Sequence, residues 1–476
     1  MNKKCQVFTP HDVVLELLDK VGYTSDLYGK RVIENACGDG NILKVIVERY
    51  IVDCLKKGIS AFEIKLGLET DIYGAEIDEA HYLKCLDNLN SIASKYGIHE
   101  IKWNLLNVDI LKEKLNIQFD FVIGNPPYIT YTELDNETRV YIKDNYEVCK
   151  LGKFDYCYAF IESSLNMLSD KGKMAYLIPS SIFKNVFAQK LRDFLLPSLQ
   201  QIFDYQTKKL FSALTSSAII ICCKEQKSDN VEYCDVVKGE SIFLDKTNLK
   251  GKWEFIKKKN DFLDGKVKFS DFFSASISIA TLFNKAFVIK DFQEVGDGNY
   301  VLVNNFQIEK EIVKVAVSPR SLNYGKNELI IFPYYYQNGI LQKYDTDEFE
   351  QNFPEATRYL RQYEKSLLKR DSDKSVKWFE YGRTQALSHL NQEKLLLSTV
   401  VTKQVRVYEL SEECIPYSGI YITSRGKLPL KFAKKILESE EFLSYVKSIG
   451  INANGMSLRI TAKDINNYVF STREAL

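Results

Sequence analysis

Paired cysteines, clustered histidines and a surplus of charge of either sign are all missing from this 476-residue chain. Its ten cysteines form no Cys-x-x-Cys and only one adjacent pair, Cys222-Cys223. That argues against a disulfide framework and a zinc site, and suits a reducing compartment. The four histidines lie far apart, so no metal is expected. Lys and Arg number 64 against 63 Asp and Glu, which gives no global basic signature; a nucleic-acid partner would need a local basic groove. No apolar run reaches membrane-spanning length and no signal peptide is visible, so a cytoplasmic protein without a membrane partner is expected.

What the chain does have is Asn125-Pro126-Pro127-Tyr128, directly after the strand-like run FDFVIG. The prolines fix φ and remove two N–H donors, leaving carbonyls free to accept. Asn125 adds a side-chain carbonyl and Tyr128 a flat ring. A planar NH2 group stacked on that ring could donate to both kinds of acceptor, the Asn125 carbonyl and that of Pro126. The nucleobase amine is a weak nucleophile because its lone pair is spread into the ring. Accepting its hydrogens pulls that pair back to nitrogen, which is electrostatic preorganisation for an amine becoming tetrahedral. No proline precedes a cysteine, so the Pro-Cys nucleophile of cytosine-C5 chemistry is missing.

The length predicts two or three domains. The first half alternates strands and helices. Thr9 as N-cap and Pro10 at the first turn open a helix. Strands are expected at 31–35, 72–78, 119–124, 173–181 and 217–223, with a further apolar stretch at 101–111 and helices over 42–58, 79–96 and 154–168. This is the pattern of an α/β, doubly wound, mostly parallel sheet, whose ligands bind at the carboxyl ends of strands. Gly38 and Gly40 end the first strand and permit close backbone approach. Glu76, ending the second, can accept from both hydroxyls of a ribose. Asp109 can accept from an adenine amino group, with Ile110 covering the ring. Taken alone, the glycine loop reads equally well as a tight turn, and each acid reads more readily as a plain strand-end acid; together they outline an adenosine pocket beside Asn125.

The order of these motifs resembles the gamma-class, TaqI-like adenine-N6 DNA methyltransferases of bacterial restriction–modification systems. VFTPHDVVLELL, VIENACGDGNIL, AEID, NVDIL, FVIGNPPYI, KFDYCYAFIESSLNMLSDKGKMAYLIPSSIF and KKLFSALTSSAIII follow the family's motifs in order over residues 5–225. The resemblance implies a Rossmann-like methyltransferase sheet and S-adenosyl-L-methionine as cofactor. It places Thr9 and Pro10 on the methionine part and adds Glu34, Ala36, Ile77, Asn125 and Pro127 to Gly38, Gly40, Glu76, Asp109 and Ile110 in the cofactor site. Pro126 and Pro127 complete the catalytic motif, and Tyr128 and Phe211 sandwich the extruded base. One departure is Glu34-Asn35, where the family often has an acid followed by proline.

Segments such as SASISIATLFNKAFVI, FPEATRYLRQYEKSLLKRD, KWFEYGRTQ and YSGIYITS resemble the specificity domain of the same group. The expected organisation is a catalytic domain at 1–228, a connecting segment at 229–267 and an α+β target-recognition domain at 268–476. Arg358, Arg361, Lys365 and Arg383 are the basic residues expected on DNA, although a charged run more often marks a solvated face. Tyr334-Tyr335-Tyr336 and Trp378-Phe379 read as core. Double-stranded DNA is the expected partner, and any cognate endonuclease is expected on a separate chain, since the motifs begin at Val7. Alternatives are cytosine-N4 methylation and, in shorter chains, methylation of a protein glutamine or of guanine N2 in RNA; a catalytically silent subunit is disfavoured because every motif position is filled.

Overall fold

The computed structural model describes residues 9–471 apart from 207, 209, 211–215, 226–227, 256–265, 296–297, 374 and 455–456. It divides into two compact units, Met1–Lys259 and Asn260–Leu476. Among the described residues no helix is long and apolar enough to cross a membrane.

The first unit is built on nine strands: β1 (Val32–Glu34), β2 (Ile72–Ala75), β3 (Asn104–Leu106), β4 (Phe119–Gly124), β5 (Leu168–Pro179), β6 (Leu199–Asp204), β7 (Ser217–Cys223), β8 (Asn230–Asp235) and β9 (Glu240–Asp245). Their order is 3-2-1-4-5-7-6-8-9. β1 pairs in parallel with β2 on one side and β4 on the other, so the direction of winding reverses there. β7 runs antiparallel to both β5 and β6. Every residue of β7 is buried, as expected of a strand covered on both faces. Successive β5 residues feed opposite cores: Ala175 and Leu177 join one, Tyr176 and Ile178 the other, following the strand's period of two. Apolar stripes of α1 (His11–Val21), α2 (Leu43–Lys56), α3 (Ala61–Asp71) and α4 (Glu79–Ser94) close the first face. Those of α5 (Asn136–Asn145), α6 (Cys157–Met167) and α7 (Gln189–Leu195) close the second.

Two expectations are corrected here. Thr9 is not the N-cap of α1: Pro10 occupies that position without a side-chain bond, and the Thr9 hydroxyl is engaged elsewhere. The segment 229–267 is not a plain connector. β8 and β9 extend the sheet, and Trp253 is 1% exposed. The Trp253 N–H donates to Phe183 O (2.8 Å), its ring stacks on Phe183, and Phe255 stacks on Tyr233 at 4.2 Å. Buried Arg192 locks the same segment by donating to the carbonyls of Gly251 (2.8 Å), Ile182 (2.6 Å) and Asn185 (2.7 Å). Val231, Tyr233 and Leu244 point inward, and the charged Asp235 and Lys246 are themselves buried.

The second unit is α+β. One antiparallel sheet joins Phe273–Ile277, Ile420–Ser424, Lys394–Leu397 and Val407–Leu410; another joins Val288–Ile289, Glu328–Ile331, Val313–Val317 and Ile415–Pro416. Tyr334 and Phe379 are buried in its core, as expected of large aromatics.

A fragment ending at Lys259 should therefore unfold in one cooperative thermal transition, whereas one ending at Ser228 should not. The shorter piece loses two strands and Trp253, and loss of a buried tryptophan alone costs about 3–5 kcal/mol. Calorimetric transitions of equal height and midpoint for the two fragments would contradict this boundary.

Candidate active site at the strand-order reversal

Strand order reverses between β1 and β4, which is where doubly wound sheets open a crevice at their carboxyl ends. The two loop glycines do different work there. Both have positive φ, +52° at Gly38 and +77° at Gly40. A side chain at Gly40 would come within 2.6 Å of Cys85 Sγ on α4, so this glycine serves packing. At Gly38 a Cβ would meet open space. Its N–H donates to Glu76 Oε2 (2.8 Å), and Glu76 Oε1 accepts from Asp78 N (2.9 Å). Between the glycines, Asp39 is held by His81 and Lys84 of α4. Burial would raise its carboxyl, but these partners outweigh burial and keep it below the usual range.

Glu34 is 3% exposed, and its Oε2 has no hydrogen-bond partner. Burial pushes its carboxyl well above the usual range. Asn35, where the family often has proline, belongs to a buried triad: its Nδ2 donates to Ser164 Oγ (2.9 Å), Tyr176 OH donates to its Oδ1, and the two hydroxyls meet at 2.6 Å. Gly124 lies against this triad, since a Cβ there would be 3.3 Å from the Tyr176 ring. The asparagine thus ties β1, α6 and β5 together directly beneath Asn125. Ala36 is half-buried beside it.

On the far side, Asp109 Oδ1 accepts from Leu111 N (3.2 Å), capping its own turn. Ile110, expected to cover an adenine ring, is 3% exposed and part of the core, because its turn points it inward; Ile77, beside Glu76, is 43% exposed.

In the Asn125-Pro126-Pro127-Tyr128 loop, Asn125 Nδ2 donates to Thr9 Oγ1 (3.2 Å). Its Oδ1 is buried and has no partner. Pro126 is buried and Pro127 half-buried. The Tyr128 hydroxyl donates to Leu177 O (2.9 Å), which fixes the ring, and Tyr156 N ties down the following loop through Ile129 O (2.8 Å). Phe211 lies outside the described residues. The structure thus brings Thr9, Glu34, Gly38, Glu76 and Asn125 onto neighbouring strand ends. The Thr9 hydroxyl and the Asn35 triad were not legible as polar contacts in the sequence.

The basic residues of the second unit are arranged differently from expectation. The segment that carries Arg358, Arg361 and Lys365 forms two short helices, Pro354–Arg361 and Glu364–Leu368. Arg358 pairs with Glu355 (2.5 Å) and Arg361 with Glu350 (2.7 Å), so their charges are largely balanced within the protein. Lys365 and Arg383 are exposed.

Residues 41–211 match the model of the Eco57I restriction-modification methylase family. The chain is a relative of the DNA methyltransferases of restriction–modification systems. Over 389 residues it is 24% identical to the type II restriction enzyme and methyltransferase RM.Eco57I of Escherichia coli, covering 70% of this chain and 38% of that protein. It is 28% identical over 239 residues to the type II methyltransferase M.BstVI of Geobacillus stearothermophilus, covering 47% and 42% respectively. The chain thus spans about two fifths of the length of these curated relatives. Among solved structures, the type IIL restriction-modification enzyme MmeI, determined in complex with DNA, has the same fold over 96% of this chain and 65% of its own, with a TM-score of 0.63 at 14% identity.

Asp155, in the segment that holds the catalytic loop, is a carboxyl pushed up to about 6 by burial, with the Glu133 charge adding to the rise. A raised carboxyl stabilises the fold below its unfolded value, and that contribution is lost as pH climbs through the folded value. Asp155→Asn should therefore gain thermal stability relative to the parent between about pH 4 and 7 and hold that gain above. Parallel melting profiles across this range would contradict the burial of the charge.

Proposed function

We propose that this chain transfers a methyl group from S-adenosyl-L-methionine to N6 of an adenine extruded from double-stranded DNA, and that its second unit selects the site. The observation that carries this reading is the Asn125 amide: its nitrogen is spent on Thr9 and its oxygen is buried without a partner. Such an acceptor, beside a tyrosine ring fixed by its own hydroxyl, suits an aromatic amine that must give up hydrogen-bonding hydrogens as it becomes tetrahedral.

The cofactor fits the residues present. Burial of Glu34 with an unpaired oxygen is relieved by a cation, and the methionine part supplies an ammonium. Each Glu76 oxygen already accepts one backbone N–H and keeps capacity for a ribose hydroxyl. Ile77 offers an exposed apolar surface for adenine, and the open space at Gly38 admits the ligand close to backbone. When bound, the cofactor supplies an electrophilic methyl on a sulfonium. Transfer is direct, without a covalent enzyme intermediate.

DNA as partner is supported by the relatives' names and by the fold shared with a DNA-bound enzyme. The target base is stacked in a duplex and has to be flipped, at a cost of a few kcal/mol. Tyr128 and Phe211 are assigned to repay part of it by sandwiching the base. Adenine is favoured over cytosine N4 because the resemblance associates Ser, more often than Asn, with N4 enzymes at the first motif position. Lys365 and Arg383 are the better candidates for phosphate contact than the carboxylate-paired Arg358 and Arg361. A cognate endonuclease on another chain is the natural partner of such an activity.

Asn125→Ala should lower the single-turnover rate of methyl transfer by about 100-fold or more and leave cofactor affinity within about twofold, because the lost acceptor acts in the transition state. A near-parental rate would remove Asn125 from the chemistry. Glu76→Ala should weaken S-adenosylmethionine binding by roughly 10- to 100-fold in calorimetry, the worth of hydrogen bonds to a charged acceptor; an unchanged Kd would reduce Glu76 to a loop brace.

A further inference from the structure

Just beyond the catalytic tetrapeptide, α5 brings two cations to one aromatic ring. Arg139 Cζ lies 4.9 Å and Lys143 Nζ 5.1 Å from the centroid of Tyr131. These residues are four apart on a helix, so their side chains are neighbours and like charges repel. Nearby Lys112 and Lys150 pair with Asp109 and Glu147, whereas Arg139 and Lys143 make no carboxylate pair among the described residues. Of the acids close in sequence, Asp135 caps α5 through Thr138 N (2.8 Å) and Glu133 accepts from Thr130 N (2.9 Å); Glu137 and Asp144 lie on α5 itself and pair with neither cation among the described residues. Arg139 donates Nε to Tyr131 O (2.8 Å) and Nη2 to Thr132 O (3.0 Å). These neutral acceptors fix the guanidinium without cancelling its charge and leave Nη1 for a ligand. Tyr131 itself stands edge-on against fully buried Phe154 at 5.3 Å, so the platform is rigid.

We propose that Arg139 and Lys143 form a clamp for a backbone phosphate of the DNA flanking the extruded nucleotide. The assignment rests on the function proposed above. Its geometry is set by the chain: Tyr131 follows Tyr128 by three positions, a span of at most about 11 Å, which is of nucleotide size. A base stacked on Tyr128 would therefore carry its own phosphodiester toward the two cations. The clamp positions the nucleotide and takes no part in the transfer.

The test uses the full-length protein and a duplex carrying the site it modifies, with binding measured across a salt series. Lys143→Gln should make the slope of log affinity against log salt shallower, with cofactor affinity unchanged. Arg139→Lys should keep the parental slope, and Arg139→Gln with Lys143→Gln should lose the full value of about 0.9 for one phosphate. Lys143 makes no hydrogen bond among the described residues, so K143Q decides the matter if the arginine variants fail to fold. A neutral methylphosphonate beside the target adenine should weaken the parent more than K143Q, which keeps Arg139, and leave the double variant unaffected. A parental slope in K143Q, or equal weakening of the parent and K143Q by the methylphosphonate, would overturn the clamp. A parent protein that binds the duplex yet transfers no methyl group would instead overturn the underlying function, and one that binds no duplex would overturn both.

Discussion

A buried carbonyl oxygen without a hydrogen-bond partner costs about 1–3 kcal/mol, and folded proteins rarely keep one without use. Asn125 Oδ1 is such an atom, and most of the catalytic unit's geometry serves to hold it in place. Rotating the amide would satisfy the oxygen only by exchanging it with the nitrogen, and the Thr9 hydroxyl, just ahead of α1, accepts from that nitrogen. Prolines on the next two positions prevent the backbone from turning the side chain away. The unsatisfied acceptor is thus stored in the protein, and under the proposed function an incoming amine is what meets it.

The remainder of the unit keeps the loop from relaxing. Tyr128 is pinned through its hydroxyl to β5, and the Asn35–Ser164–Tyr176 triad cross-links β1, α6 and β5 below it. Asparagine at position 35 replaces the stiffness of proline with hydrogen bonds to two other elements, so the departure from the family pattern keeps the loop restrained by another route. The strap through Arg192, Trp253 and Phe255 holds the 180–188 segment at the end of β5. The cofactor side is built by the same economy: Glu76 braces the glycine loop through Gly38 N–H while its remaining lone pairs stay available.

Much of this was readable before any coordinates. β1, β2, β4 and β7 are apolar runs ending in glycine or polar residues, and periodicity finds such strands easily. The tetrapeptide and the glycine loop are local signatures, legible for the same reason. What escaped was information carried by distant partners or by edges. α3 was overlooked although Ser60 and Glu63 form a capping box, a signal present in the sequence. β8 and β9 lie at the sheet edge and expose many polar residues, so in sequence they read as a connecting segment. Arg358 and Arg361 looked like a nucleic-acid surface because Glu350 and Glu355, which neutralise them, reveal that role only in three dimensions. Ile110 and Ile77 are equivalent in composition, and only burial tells which one faces the core.

The central claim is that this oxygen awaits an adenine amine. Full-length protein incubated with duplex DNA and S-adenosylmethionine labelled in its methyl group, followed by digestion to nucleosides and mass spectrometry, tests it most directly. Label in N6-methyl-2′-deoxyadenosine is the predicted result. Label confined to N4-methyl-2′-deoxycytidine, or recovered in protein or RNA and absent from DNA, would contradict it.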